Sequence, residues 1–387
     1  MSVTIPQGFV ANGVACGIKP AGRADLALVA TADGRPVVAA AVFTTNLATA
    51  APVQVSRHHL ATTGGRASAV VLNSGNANAA TGAPGRVASE RTCALVAARL
   101  GCRPEEVLVC STGLIGIPLP MDPIEAGVAG LVAGLSAGGG TRAADAILTT
   151  DTRRKEVVVA GDGWTIAGMA KGAAMLAPDM ATMLAVLTTD ADLEPAPLRE
   201  ALAAATAASF NRITVDGATS TNDTVIVLAS GLAGPPDPDR FSAAMHAACA
   251  DLALQMVADA EGATKLVRVR VTGARTDAEA AVAARRVAES LLVKCSLYGN
   301  DPYWGRVVSE LGSAGVGFHP DLVSVAYGAI VVCREGVACD HDGAALKAHM
   351  AGREIVLAAD LGLGPGTAEI VSADLTHAYV DENMTTS

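Results

Sequence analysis

What most constrains the fold of this chain is its shortage of aromatic bulk: 5 Phe, 4 Tyr and 2 Trp in 387 residues, although 51% of the residues are hydrophobic. The core must be filled by Ala, Val, Leu and Gly, and small side chains fill space only when backbones approach closely. Sheets covered by helices meet that demand, and the length allows two or three domains. Apolar runs bounded by turn residues predict strands at 26–30, 37–43 and 69–72, and alternation predicts another at 267–271. Helical period predicts helices at 86–100, with Cys93, Val96, Ala97 and Leu100 on one face ahead of Gly101, and at about 197–209, 238–261 and 276–293. The last of these opens with Thr276 and Glu279 at capping-box spacing. Strands and helices interleave throughout, without an internal repeat.

Charge narrows the partners. The net charge of −10 is uneven, with 14 basic against 12 acidic residues up to Ala181 and 14 against 26 from Thr182 onward. Neither part can neutralise a run of phosphates, so no nucleic acid is expected. Gly, Asp or Arg interrupts the apolar runs short of the roughly 20 residues a bilayer needs, so no membrane is expected either. The N-terminus lacks the charged start and apolar stretch of a signal peptide, and a cytoplasmic protein is expected. Eight cysteines without a C-x-x-C pair read as reduced, mostly buried thiols. The seven histidines, His58-His59 apart, are dispersed and lack metal-ligand spacing, so no metal is expected, and His341 and His349 read as solvent-facing. Gly362-Leu363-Gly364-Pro365-Gly366 has the wrong spacing for a dinucleotide loop, and no cofactor is expected.

Chemistry concentrates in polar, glycine-rich islands set among apolar residues. Asp179-Met180-Ala181-Thr182-Met183-Leu184 carries a threonine that a backbone break would turn into an N-terminal nucleophile. Its own α-amine, with an ordinary pKa of about 7.7–8.0, would then serve as base. Cys110-Ser111-Thr112-Gly113 follows the strand-like Val107-Leu108-Val109 and reads either as a plain turn or as donors to an oxyanion. Thr149-Thr150-Asp151-Thr152 reads as a substrate-binding cluster or a local turn. Lys171-Gly172 puts one cation in an uncharged stretch, either snorkelling to the surface or binding a carboxylate. The run Asp216 to Thr224 is a polar loop, and Glu261 lies at an expected helix C-terminus, where the macrodipole mildly disfavours a carboxylate and surface placement is the simpler reading.

In order along the chain, these islands resemble the ornithine acetyltransferase family, also called bifunctional glutamate N-acetyltransferase or ArgJ. The resemblance rests on Gly8-Phe9 with Gly17-Ile18-Lys19, Asn73 to Asn78, Ser111-Thr112-Gly113, Thr149 to Thr152, Lys171-Gly172 with Ala177-Pro178 and Ala181-Thr182-Met183, Asp216 to Thr224, Glu261 to Lys265, and Gly299 to Pro302 with Trp304-Gly305-Arg306. It implies an αββα sandwich of the α/β (α+β) class, similar to N-terminal nucleophile hydrolases and DmpA/ArgJ-like, with a smaller C-terminal α/β region. It also implies self-cleavage between Ala181 and Thr182 into an N-terminal chain, 1–181, and a C-terminal chain, 182–387. Thr182 would take the acetyl group of N-acetylornithine and pass it to glutamate in ping-pong fashion, with acetyl-CoA a further donor that no motif decides. By the same resemblance Thr112 and Gly113 form the oxyanion hole, while Thr149, Lys171, Thr182, Glu261, Asn383 and Ser387 contact substrate. Two chains of each kind would form a heterotetramer.

The sequence departs from the family at three places. Its C-terminus, Asn383 to Ser387, is one residue short, which leaves Thr386 competing with Ser387; Ala218 replaces a common acidic residue and Tyr303 a common asparagine. Two other readings stay open: a self-processing aminopeptidase or amidase that passes the acyl group to water, and a non-catalytic scaffold with Thr182 in its core.

Overall fold

The computed structural model describes residues 3–176 and 183–384. The chain forms two compact units, one of Met1–Asn211 with Ala218–Met256, the other of Arg212–Gly217 with Val257–Thr386.

Two sheets build the first unit. One has the order β1 (Phe9–Val14), β2 (Leu26–Thr31), β5 (Ala69–Asn76), β6 (Val107–Leu114). The other has the order β4 (Arg66–Ala67), β3 (Val37–Phe43), β11 (Thr224–Ala229), β9 (Leu184–Thr189), β8 (Thr165–Lys171), β7 (Lys155–Ala160). Alternation along the strands sends Phe9, Val29, Leu72 and Leu108 of the first sheet against Met169, Val186, Ile226 and Leu228 of the second, in one shared core. Helix α4 (Gly140–Ala146) adds Ala143, Ala144 and Ala146 to it. Leu26, Leu28, Val71 and Val109 point the opposite way, under α2 (Gly82–Leu100) and α3 (Met121–Ala133), with Val55 of α1 (Ala51–Thr62). Over the second sheet, Leu252 of α6 (Pro238–Ala258) approaches Leu187 around Gly168, and Phe241 packs 5.4 Å from Trp164; α5 (Pro195–Ala208) buries Leu198 and Leu202. The result is the expected αββα sandwich, and β2, β9 and β11 are buried at every residue because layers cover both faces.

The second unit carries a single sheet in the order β10 (Ile213–Thr214), β17 (Gly366–Ala373), β12 (Leu266–Ala274), β16 (Glu354–Asp360), β13 (Ser324–Tyr327), β14 (Ile330–Arg334), β15 (Val337–Ala338). Val267, Val269 and Val271 share a core with Ala280, Ala284 and Val287 of α7 (Asp277–Glu289), with Val293 of α8 (Leu291–Tyr298), Leu311 of α9 (Trp304–Gly312) and Met350 of α10 (Gly343–Met350). The residues between them, Arg268 and Arg270, meet Glu369 on the other face. Helix α11 (His377–Asn383) closes the described chain.

Several expectations need revision. The helix foreseen at 276–293 does start on the Thr276 cap, which accepts from Glu279 N, but it breaks at Ser290, whose hydroxyl accepts from Val293 N and opens α8. The helix foreseen to reach residue 261 ends at Ala258, so Glu261 lies in a turn. Helix α2 stops where foreseen, with Gly101 left-handed at φ 75° and its N–H on Ala97 O. Contrary to expectation, α6 has the length and apolar composition of a membrane span, the one such helix among the described residues. Its Phe241, Met245, Cys249, Leu252 and Met256 are spent inside the first unit. All eight cysteines are free, but only Cys93, Cys110, Cys249 and Cys333 are buried. His349, foreseen to flank α10 in solvent, lies inside that helix, where its Nε2 accepts from Val356 N.

Candidate active site

The end of β6 is built for close approach. It runs parallel to β5 with Ser74 beside Thr112 and Gly75 beside Gly113. Gly113 has φ +133°, and a β-carbon there would overlap the Gly75 carbonyl carbon and the Asn76 nitrogen, so no other residue fits. Neighbouring amides lock the strand ends: Ser111 Oγ donates to Asn73 Oδ1 at 2.6 Å, Asn73 Nδ2 to Asn76 O at 2.8 Å, and Asn222 Nδ2 to Ser111 O at 2.9 Å and Ala77 O at 2.6 Å.

Lys171 is the last residue of β8 and only 4% exposed, which overturns a snorkelling surface cation. Its Nζ donates to Thr112 Oγ1 at 3.2 Å, which leaves the threonine its own hydrogen to give to a third atom. Asp151 ties this corner together. One of its oxygens accepts from Lys155 Nζ at 2.5 Å and Gly172 N at 2.8 Å, the other from Thr149 N at 3.0 Å and Thr149 Oγ1 at 3.4 Å. Thr149 is therefore held in a local turn and stays partly exposed, while Thr150 is exposed. Burial alone would push the Asp151 carboxyl up, but Lys171 and Lys155 outweigh it and leave the group at about 2.

A second carboxyl faces Lys171 under the opposite balance. Burial drives Asp223 well above the usual carboxylate range, against the Met183 N–H and the Lys171 charge. Its Oδ1 accepts from Met183 N at 2.6 Å, while Oδ2 is buried without a hydrogen-bond partner. The Lys171 charge thus acts on two carboxyls whose ionisation is pulled in opposite directions, Asp151 down and Asp223 up.

In the second unit, Asn383 Nδ2 donates to Glu261 Oε2 at 2.7 Å and to Tyr379 O at 2.9 Å. Glu261 is 8% exposed, so it is not the surface charge that the helix-end reading favoured. Gly262 beside it has φ +63°, and a β-carbon there would overlap Tyr379 N. The foreseen residues thus form two groups, Thr112, Gly113, Thr149 and Lys171 in the first unit, Glu261 and Asn383 in the second. Ala181, Thr182 and Ser387 lie outside the described residues. Sequence reasoning did not single out Asp151, Lys155 or Asp223. The signal was present, since Asp151 and Asp223 belong to the polar islands, but nothing in the order of residues ranks one carboxyl above another.

Comparison with known proteins decides the family. A family model, described as "ArgJ family", matches residues 10–386. The chain belongs to the ArgJ family. It is 50% identical over 385 residues to the arginine biosynthesis bifunctional protein ArgJ of Streptomyces avermitilis, covering 99% of each chain, and 48% identical to its Thermobifida fusca counterpart at the same coverage. A solved ornithine acetyltransferase from Mycobacterium tuberculosis, complexed with ornithine, is 48% identical; the match covers 47% of this chain and 95% of that one, with a TM-score of 0.44. As a family member the chain is an enzyme, an acetyltransferase of arginine biosynthesis.

Proposed function

We propose that this enzyme moves the acetyl group of N-acetylornithine to glutamate through an acetyl ester on Thr182, after self-cleavage at Ala181-Thr182. The observation that carries the reading is the end of β6, where the buried Lys171 ammonium occupies a lone pair of the Thr112 hydroxyl at 3.2 Å and leaves that hydroxyl its own proton to donate; the Gly113 N–H is the second donor in this reading. Two preorganised donors of this kind stabilise the oxyanion of acyl transfer, each worth about 100-fold or more in rate. β8 and β9, which flank residues 172–183 in the chain, pair antiparallel from Lys171 with Leu184 to Ile166 with Thr189. A cut after Ala181 therefore leaves its two pieces in one hydrogen-bonded sheet. That arrangement supports a precursor maturing into chains of 181 and 206 residues that stay together. The names carried by the relatives support the acetyltransferase reading. We also propose that two copies of each chain assemble.

Roles follow from charge. Lys171 helps hold the oxyanion donor, and the Glu261-Asn383 pair offers a carboxylate to the cationic amine of ornithine. Thr149, through its partly exposed hydroxyl, is the remaining contact in this scheme, and Ser387 the terminal one. The α-amine released at Thr182 takes the hydroxyl proton as the acetyl carbon is attacked and returns a proton to the leaving amine.

The test is a denaturing gel with product analysis. Wild-type protein should run as two bands, and Thr182→Ala as one intact chain of 38.7 kDa. With N-acetylornithine, ornithine release should depend on glutamate. Release of free acetate without an acceptor would instead establish the amidase.

A further inference from the structure

We propose that Lys19 is a positioning residue for substrate binding: its ammonium ties the turn that carries Thr149 to the end of β5. This rests on the reading of Thr149 as a substrate contact and adds to it the group that sets its place. Three observations carry it. First, Lys19 is 7% exposed, and its Nζ donates to Leu148 O at 2.6 Å and to Ala24 O at 2.8 Å. The Leu148 carbonyl belongs to the peptide unit that ends at Thr149 N, and that N–H donates to Asp151 Oδ2 at 3.0 Å. The unit is planar, so a grip on its oxygen and on its N–H fixes the plane from which the Thr149 side chain departs.

Second, the stem of the same side chain lies on the strand end. Gly75 has φ +101°, and a β-carbon there would come within 3.0 Å of Lys19 Cγ and 3.1 Å of Ile18 Cγ2. Gly75 stands beside Gly113 in the β5–β6 register. One residue therefore touches both the strand pair that ends at Thr112 and Gly113 and the turn that carries Thr149. Third, the backbone of Lys19 is itself fixed. The fully buried Asp25 carboxylate accepts from Cys16 N at 2.6 Å, Gly17 N at 3.0 Å, Ile18 N at 2.7 Å and Lys19 N at 2.9 Å, and Asp25 O accepts from Ser74 N of β5 at 2.9 Å. Burial would raise the Asp25 carboxyl, but the hydrogen bonds outweigh it and hold the group below the ordinary range.

Stability alone does not call for this ammonium. A buried charge resting on two neutral carbonyls costs folding free energy that an apolar chain of the same length would not. Burial first, then the Arg23 and Lys171 charges, pull the Lys19 ammonium down to about 8, against Asp25 and Asp151. Lys19 thus shares the field of the Lys171 and Asp151 charges, and what its own charge secures is the orientation of the Leu148-Thr149 peptide.

The experiment measures kcat and KM for N-acetylornithine by ornithine release, with urea stability alongside, for the full-length wild-type enzyme, Lys19→Met, Thr149→Ala and the double variant. Lys19→Met keeps the stem on Gly75 and removes the ammonium. It should raise KM about 10-fold with kcat within about 2-fold of wild type, the signature of a lost binding contact. Thr149→Ala should raise KM as well, and adding Lys19→Met to it should change KM by less than about 2-fold, because the two act through one contact. Effects that multiply in the double variant overturn the inference and leave the Thr149 reading standing. So does a Lys19→Met enzyme that loses stability with KM unchanged, which is what a merely structural lysine would give. An unchanged KM in Thr149→Ala overturns the Thr149 reading, and this inference with it. Where Lys19→Met does not fold, Lys19→Gln, whose donor stops one atom short of the ammonium, enters the same cycle with the same outcomes.

Discussion

Lys171 in the first unit gives its ammonium to a side-chain hydroxyl and faces two carboxyls, whereas Lys265 in the second gives its own largely to main-chain carbonyls and Lys294 divides its own between a carbonyl and a hydroxyl. Lys265 reaches Met350 O at 2.6 Å, Gly352 O at 3.1 Å and Asn300 Oδ1 at 2.8 Å; Lys294 reaches Ala373 O, and Ser372 Oγ at 3.0 Å. Carbonyls of a folded backbone neither rotate nor change protonation, so Lys265 braces the fold. A hydroxyl can rotate, and a carboxyl can change protonation. Buried charge is thus not itself the mark of a site; the mobility of the protons around it is.

The largest expected effect tests what close backbone approach is worth, at a glycine that needs it and at one that does not. Gly113→Ala should cost about 4 kcal/mol, from a positive-φ strain and an overlap with the Gly75 backbone that cannot relax separately. Gly343→Ala, at the start of α10 with nothing within 4 Å of its β-carbon, should change urea-denaturation stability by no more than about 0.5 kcal/mol. Equal losses in both would break the contrast.

Charge pairs come next. Asp151→Asn takes from the fully buried Lys155 the carboxylate it holds at 2.5 Å and should cost about 3 kcal/mol. Glu369→Gln, in the partly exposed cluster with Arg268 and Arg270, should cost less than about 1 kcal/mol, and salt should erase most of that. Similar costs from urea titration would show that burial does not separate the two kinds of pair.

The smallest effect is in pH, and the two carboxyls beside Lys171 pull in opposite directions. Asp151 lies below its unfolded value of about 4, so its contribution is present above about pH 4 and lost as pH falls towards about 2. Asp223 lies above its unfolded value, so its contribution is full below about pH 4 and declines as pH rises towards its raised folded value. In melting curves, Asp151→Asn should flatten the acid limb and Asp223→Asn the limb above it. A variant that flattens the wrong limb would reverse the assignment of charge states.

Legibility differed between fold and site. Strands at 26–30, 37–43 and 69–72, the α2 face with Gly101, and the Thr276 cap were readable because each depends on neighbours within one turn or one strand. The break at Ser290 was not, since Ser290 could continue the helical period, and its cap competes with that period only once α7 and α8 pack separately. Lys171 read as surface or site at equal weight, because its burial depends on β9 pairing beside β8.

By itself, the sequence determined that small side chains must bring backbones together, which residues lie on core faces, and which polar islands could hold chemistry, since composition and period are local properties. Only the tertiary structure decided that Lys171 reaches Thr112 across 59 positions of chain, that the Asp151 carboxyl is held down and that the Asp223 carboxyl is pushed up. A carboxyl's charge depends on how much water and which cations surround it, and both are set by strands distant in sequence.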